Sequence, residues 1–299
     1  MRVNCCRTAE HIVTTNRNQR IMITNLLEGK KGIIFGALND KSIAWHVAEK
    51  AHAQGARLVL TNAPVAIRMG TIGELAEKTG SEVITADATS MKDLEILFNR
   101  SMEIFGGKMD FVLHSIGMSP NVRKGIPYAE SSYENMLKTL DISALSFHRI
   151  LQTAYRMDAI REWGSVVALT YVAAQRTLAG YNDMGDAKAL LESIARSFGY
   201  IYGKDRHVRV NTISQSPTAT TAGSGIAGFD SLVDFSDRMS PLGNADAADC
   251  ADVCITLFSD LTRKVTMQNI FNDGGFSSMG MSDRAIEQYN KSFRECLDK

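Results

Sequence analysis

Short β-forming runs alternate with helical stretches along most of this chain, and few folds satisfy that alternation. Runs at 32–35, 57–61, 82–85, 109–114, 165–169, 208–213 and 269–272 read as strands. Between them, 42–54, 65–78, 91–105, 133–157, 181–202 and 245–260 read as helices. Strands separated by helices pair in parallel, and right-handed crossovers wind helices onto both faces of the sheet. The expected fold class is α/β, a doubly wound parallel sheet of about seven strands in a single domain spanning 28–283. Two regions break the pattern. Residues 1–27 are polar and irregular and read as an N-terminal extension, disordered or preceding a true start at Met22. Residues 214–237 read as a long connection at the carboxyl end of a strand, where such sheets place ligands and lids. Gly223, Gly225 and Gly228 fit a lid over 218–230, although an ordinary surface loop fits them too. Residues 284–299 read as a C-terminal tail.

Charge and composition exclude several classes. Lys plus Arg number 33 and Asp plus Glu number 33, so no net field favours nucleic acid or a membrane surface. No apolar run approaches the roughly 18–20 residues that span a bilayer, and residues 1–20 lack the apolar centre of a secretory signal. Of five cysteines, Cys250 and Cys254 share a helix face without a histidine pattern and read as core thiols, not as a metal site. A sparse, odd set suits a reducing cytoplasm.

Gly36 follows the first apolar strand, and Ser42 precedes a helix. Glycine turns the chain without a Cβ clash. Ser42 can cap the helix, or offer its hydroxyl and N–H to a pyrophosphate at the helix N-terminus. The G-x-G-x-x-G fingerprint is absent, because positions 38 and 41 are Leu and Lys, so an ordinary strand–turn–helix remains open. The second strand ends Thr61-Asn62-Ala63 without an acid for an adenosine ribose or an adjacent cation for a 2′-phosphate, which favours NADH over NADPH. Asp87 can accept from an adenine amino group or be a solvated loop aspartate. The small residues of His114-Ser115-Ile116-Gly117 admit a nicotinamide ribose or simply pack tightly.

Tyr171, Tyr181 and Lys188 are the candidates for the chemistry, although a Tyr and a Lys spaced by seven on a helix is common without any such meaning. Seven residues at about 100° each return Lys188 to within about 20° of Tyr181 on one helix face. When hydride adds to the β-carbon of an α,β-unsaturated thioester, charge builds on the carbonyl oxygen as an enolate, and a placed phenol donates to it. A nearby ammonium can hold the nicotinamide ribose and draw the Tyr181 pKa towards neutrality. Tyr171 can share the carbonyl contact.

Taken together these stretches resemble the bacterial enoyl-acyl-carrier-protein reductases, a divergent branch of the Rossmann-like short-chain dehydrogenase/reductases. The likeness runs from about 28 to 280, through Gly36…Ser42-Ile43-Ala44, His114-Ser115-Ile116-Gly117, Tyr171…Tyr181…Lys188, 208–214 and Asp273-Gly274-Gly275-Phe276. The resemblance implies pyrophosphate contacts at Gly36, Ser42 and Ile43, with Ala63 beside the adenosine ribose and Asp87 and Ala88 facing the adenine. It places Ser115, Ile116 and Gly117 on the nicotinamide ribose side with Lys188. Thr218, Ala219, Thr220, Thr221 and Ala222 would serve the nicotinamide and pyrophosphate. Ser119 would line the acyl entrance, and Met184 and Phe229 the acyl pocket. It further implies NADH, an acyl carrier protein as partner, a homotetramer and a role in fatty-acid elongation. Ketone-reducing relatives use Tyr-x-x-x-Lys and a serine thirteen positions before the tyrosine; here those positions hold Gly185 and Ala168. A 3-oxoacyl thioester reductase and a catalytically silent dinucleotide-binding protein are the alternatives. Two departures stand out. Gln215-Ser216 replaces a smaller pair and is expected to crowd the cofactor loop, and Asp183 and Asp186 make the helix more acidic, with Asp186 expected in solvent.

Overall fold

The computed structural model describes residues 25–221, 223 and 228–297; the expected extension over 1–24 lies outside them. Seven strands form one sheet: β1 (Lys31–Phe35), β2 (Arg57–Asn62), β3 (Glu82–Thr85), β4 (Met109–His114), β5 (Ile160–Thr170), β6 (Arg209–Gln215) and β7 (Asn269–Asn272). Their order is β3-β2-β1-β4-β5-β6-β7, every pair parallel. The expected doubly wound sheet is therefore present. The chain steps outward from β1 to β3 and then returns to place β4 on the other side of β1. That reversal opens a crevice at the carboxyl ends of β1 and β4, where such sheets bind ligands. Phe35 pairs with His114 in register, so Gly36 and Ser115 emerge side by side there.

Burial explains the two layers. One face of the sheet packs Ile33, Phe35, Val112 and Val166 against α4 (Met91–Phe105), α7 (Ser146–Arg156) and α8 (Asn182–Arg206). The other packs Ile34, Leu60, Leu113 and Ile213 against α1 (Ile43–Ala53), α3 (Ile72–Thr79) and α10 (Ala247–Phe258). Each Leu, Ile or Phe buried fully this way contributes about 1.5–3 kcal/mol. Local chemistry sets the ends: Ser90 accepts from the Asp93 N–H to start α4, Gly106 ends it at φ 64°, and Asp246 with Asp249 forms a capping box on α10. Cys250 and Cys254 lie in the second core, and burial pushes the Cys254 thiol up, as inert core thiols require.

Several boundaries differ from expectation. The 65–78 helix is two, α2 (Pro64–Met69) and α3, because Gly70 must pass the Leu38 carbonyl: a Cβ there would lie 2.3 Å from that oxygen. The 133–157 helix holds α6 (Tyr133–Leu140), a π-helical turn at Asp141–Leu145, and α7. The region 214–237 includes α9 (Phe229–Met239), and the expected tail forms α11 (Asp283–Leu297), tied to α9 by Arg284 and Asp237. Leu27 is wholly buried, so the folded unit starts before residue 28. No helix among the described residues is long and apolar enough to cross a membrane.

Candidate active site

Gly36 leaves β1 at φ 97°, and its N–H donates to the Thr61 carbonyl. A Cβ there would lie 2.0 Å from the Ser115 carbonyl, so the turn and the chain after β4 touch as only glycine allows. The Ser42 hydroxyl neither caps α1 nor faces outward. It accepts from the N–H groups of Leu38 and Asn39, at 3.0 Å each, and donates to the Asn39 carbonyl. It folds the loop ahead of α1, whose first-turn amides at Ile43 and Ala44 helix geometry leaves without intrahelical partners. Asn62 donates to the Ala37 carbonyl and closes the turn from β2. Asn39 and Thr221 bond side chain to side chain at 3.0 Å, which brings the segment after β6 onto the same turn. Thr218, Ala219 and Thr220 lead up to that contact; Ala222 lies outside the described residues.

Where the adenosine is expected, Ala63 is half-buried at the start of α2 and Ala88 is buried. Asp87 turns one carboxylate oxygen inward, accepting from the Thr89 N–H and hydroxyl at 2.8 and 2.7 Å. The expected adenine contact falls to what remains of that carboxylate.

At the other end, the rings of Tyr171 and Tyr181 pack with centroids 5.0 Å apart. Tyr171 is buried, and its hydroxyl has no hydrogen-bond partner. Tyr181 caps α8 and does not lie within it. Lys188 is buried and donates to the Leu169 carbonyl at 2.8 Å. A Cβ on Gly117 would lie 3.7 Å from the Lys188 Nζ and 3.9 Å from the Met184 Cε, which places Gly117 directly beside both. Ser115 and Ile116 are half-buried beside it. Phe229 and Met184 are buried apolar walls.

The electrostatics overturn one expectation. Burial, and then the neighbouring Tyr171, push the Tyr181 phenol up, away from neutrality. Burial and Asp273 do the same to Tyr171. Burial pushes Lys188 down to about 8 against the pull of Glu192. Burial thus keeps both phenols protonated, while the Lys188 ammonium reaches a backbone carbonyl.

Three buried groups take on contacts that the sequence did not indicate. Asp183 is fully buried and gathers the Ser119 hydroxyl at 2.7 Å, the Asn121 amide at 2.9 Å and the Thr139 hydroxyl at 2.9 Å. Ser119, expected at the acyl entrance, is buried within that network. Glu192 accepts from Thr170 and Gln175; its spacing of four from Lys188 was the available signal. His114 is buried, and its Nε2 donates to Ser146, whose own proton goes to the Ile142 carbonyl. Burial and Lys188 push His114 down to about 3, so it is neutral. Asp186 is half-buried and accepts from Tyr128, not free in solvent as expected. A cleft of about 590 Å³ at the opposite, amino end of the strands, lined by Lys30, Lys108, Arg161 and Trp163 among others, takes no part in this arrangement.

Residues 36–277 match the family described as Enoyl-(Acyl carrier protein) reductase. The chain belongs to that family. It is 34% identical to the NADH enoyl-[acyl-carrier-protein] reductase 2 of Rhizobium meliloti over 87% of this chain and 96% of that protein. It is 32% identical to the FabI of Aquifex aeolicus over 88% of this chain and 96% of that protein. The crystal structure of a FabI–NADH complex from Alistipes finegoldii superposes with a TM-score of 0.87 at 68% identity, over 89% of this chain and 94% of that one. For a member of this family, Gly185 now has a physical reason. A Cβ there would lie 3.2 Å from the Ala173 carbonyl, so α8 presses against the turn after Tyr171 and leaves little room for a side chain. Gln215, expected with Ser216 to crowd the cofactor loop, touches it through a hydrogen bond of 3.3 Å to the Thr218 hydroxyl. Gln215 reaches the Ala245 and Asp246 carbonyls and accepts from Asn272, while the Ser216 hydroxyl accepts from the Ala245 N–H. Both anchor the segment after β6 to the neighbouring loops.

Proposed function

We propose that this chain reduces the trans-2 double bond of enoyl-acyl-carrier-protein thioesters with NADH, as an oxidoreductase acting on CH–CH groups in fatty-acid elongation. One observation carries the reading: the buried, unpartnered Tyr171 hydroxyl beside Tyr181, at the carboxyl end of β5. A buried hydroxyl without a partner costs about 1–3 kcal/mol, which a ligand oxygen relieves. The dinucleotide fits the same crevice. Gly36 offers a cradle that any Cβ would close, and the first-turn amides of α1 suit a pyrophosphate. Ser42, Ile43 and Thr218–Thr221 would hold the phosphates, Ala63, Asp87 and Ala88 the adenosine, and Ser115, Ile116, Gly117 and Lys188 the nicotinamide ribose. Ala63 and Pro64 follow β2 with no cation between, which suits NADH over NADPH. The names of the relatives from Rhizobium meliloti and Aquifex aeolicus specify NADH.

When bound there, the reduced nicotinamide supplies a hydride to the β-carbon. The residues handle the charge that follows. Tyr181 and Tyr171 donate hydrogen bonds to the thioester carbonyl oxygen as it becomes an enolate, each such donor being worth about 3–4 kcal/mol. The α-carbon then takes a proton from Tyr181 or from water. Met184 and Phe229 exclude water from the acyl chain, while Ser119, held by Asp183, stiffens the wall near its entrance. Partners are an acyl carrier protein and three further copies of the chain. The uncovered edge of β7, with Phe271 39% exposed, and the exposed Tyr289 and Phe293 of α11 suit contacts between copies. Buried unpaired thiols at Cys250 and Cys254 suit the cytoplasm.

The test mixes purified protein and NADH with a trans-2-enoyl thioester, crotonyl or longer, and follows NADH absorbance and the acyl product. The expected result is a saturated acyl thioester formed as NADH is consumed, with a 3-oxoacyl thioester untouched. No consumption at any chain length with NADH or NADPH, or faster consumption of the 3-oxoacyl compound, contradicts the reading.

A further inference from the structure

Lys188 and Glu192 lie one turn apart on α8 and take hold of consecutive residues of β5. The Lys188 Nζ donates to the Leu169 carbonyl at 2.8 Å, and the Thr170 hydroxyl donates to the Glu192 Oε1 at 3.0 Å. The next residue is Tyr171. Beyond it the chain makes a short 3₁₀ turn, Val172–Ala174, and Gln175 returns to donate to the Glu192 Oε2 at 2.9 Å. Both carboxylate oxygens of a residue only 4% exposed are thus used to pin the two ends of the segment that carries Tyr171. We propose that Glu192 is a positioning residue for the reduction, clamping the Tyr171 segment onto α8 while setting a negative charge one turn from the Lys188 ammonium. The inference rests on the reductase reading above.

The electrostatics agree with the geometry. Lys188 is buried, which works against its charge, and Glu192 is the group that works to restore it. The other ionisable groups around Lys188 are His114 from β4, Tyr171 from the turn after β5 and Tyr181 at the start of α8. His114 is neutral, and both phenols are held protonated. Asp183 on α8 faces Ser119, Asn121 and Thr139. On the packed elements, Glu134 and Lys138 of α6 are exposed. Asp141 pairs with Arg149 of α7 at 2.6 Å. Arg209 of β6 donates to the Ser259 and Thr262 carbonyls. None of these is among the charges that move Lys188.

The experiment compares full-length wild type, Glu192→Gln, Glu192→Asp and Thr170→Val, with NADH and a trans-2-enoyl thioester across pH, reading kcat and the kcat/KM for NADH. Glu192→Gln removes the charge but keeps an acceptor, so the alkaline fall in kcat/KM moves to lower pH. At mildly alkaline pH the loss is on the order of tenfold, and in mild acid it is small. Glu192→Asp keeps the charge but is too short to reach both Thr170 and Gln175, so kcat falls while the alkaline limb stays in place. Thr170→Val, which leaves every charge intact, also lowers kcat without moving the limb. It tests the clamp even if Glu192→Gln fails to fold. A Glu192→Gln profile that superimposes on wild type overturns the proposal, as does unchanged kcat in Thr170→Val. Inactive wild type on every enoyl thioester sinks the reductase reading itself, whereas active wild type with unaltered variants sinks only the role of Glu192.

Discussion

Tyr171, Tyr181 and Lys188 divide the work by burial. The two phenols sit above the ordinary tyrosine range and remain donors, while the ammonium sits below the ordinary lysine range, at about 8. A folded-state pKa near 8 means that Lys188 is charged below that pH and loses its charge above it. The kcat/KM for NADH is therefore expected to be flat at neutral pH and to fall through an alkaline limb near pH 8 in the wild type, a limb that Lys188→Met abolishes along with most dinucleotide affinity. A profile flat well beyond pH 9 would contradict this placement of the ammonium. Tyr181 and Lys188 were legible in the sequence as a pair seven residues apart at the start of a helix, and Tyr171 as the residue that follows the fifth strand. The direction of the Tyr181 shift was not. It is set by burial and by the neighbouring Tyr171, whose ring centroid the fold places 5.0 Å from that of Tyr181.

The elements show where pattern reading succeeds and stops. The inner strands were visible as apolar runs because they are largely buried on both faces of a parallel sheet, whereas the edge strands β3 and β7 are only partly buried. The breaks were not. The division between α2 and α3 depends on Gly70 passing the Leu38 carbonyl, and α9 and α11 depend on each other through Arg284 and Asp237. Asp183 is the sharpest case. In sequence it is an acid on a helix; in the fold it gathers α8, α5 (Pro120–Arg123) and α6 around one carboxylate. Asp183→Ala leaves buried donors unpaired at about 1–3 kcal/mol each, and a thermal melt is expected to show a fall in Tm of about 5–10 °C. A Tm within a degree or two of wild type would show that the network does not hold these helices together.

Across the whole molecule, the reversal between β1 and β4 sets the Gly36 turn beside the chain that leads to Gly117, while the end of β5 adds Tyr171 and the start of α8 adds Tyr181. The same core constrains stability in acid. His114 lies in the middle of the sheet with a folded-state pKa depressed from 6.5 to about 3. Its stabilising contribution is complete above pH 6.5 and is lost as pH falls from there towards 3, because the unfolded chain takes up the proton first. Chemical denaturation at a series of pH values is expected to show stability falling over that window, with a weaker slope in His114→Gln; identical slopes would contradict it. The central claim, that a protonated phenol steadies an enolate formed next to the dinucleotide crevice, is tested most directly by Tyr181→Phe. Turnover of a trans-2-enoyl thioester should fall by about 10²–10³-fold while NADH binds with wild-type affinity. Turnover close to wild type in that variant would contradict the account.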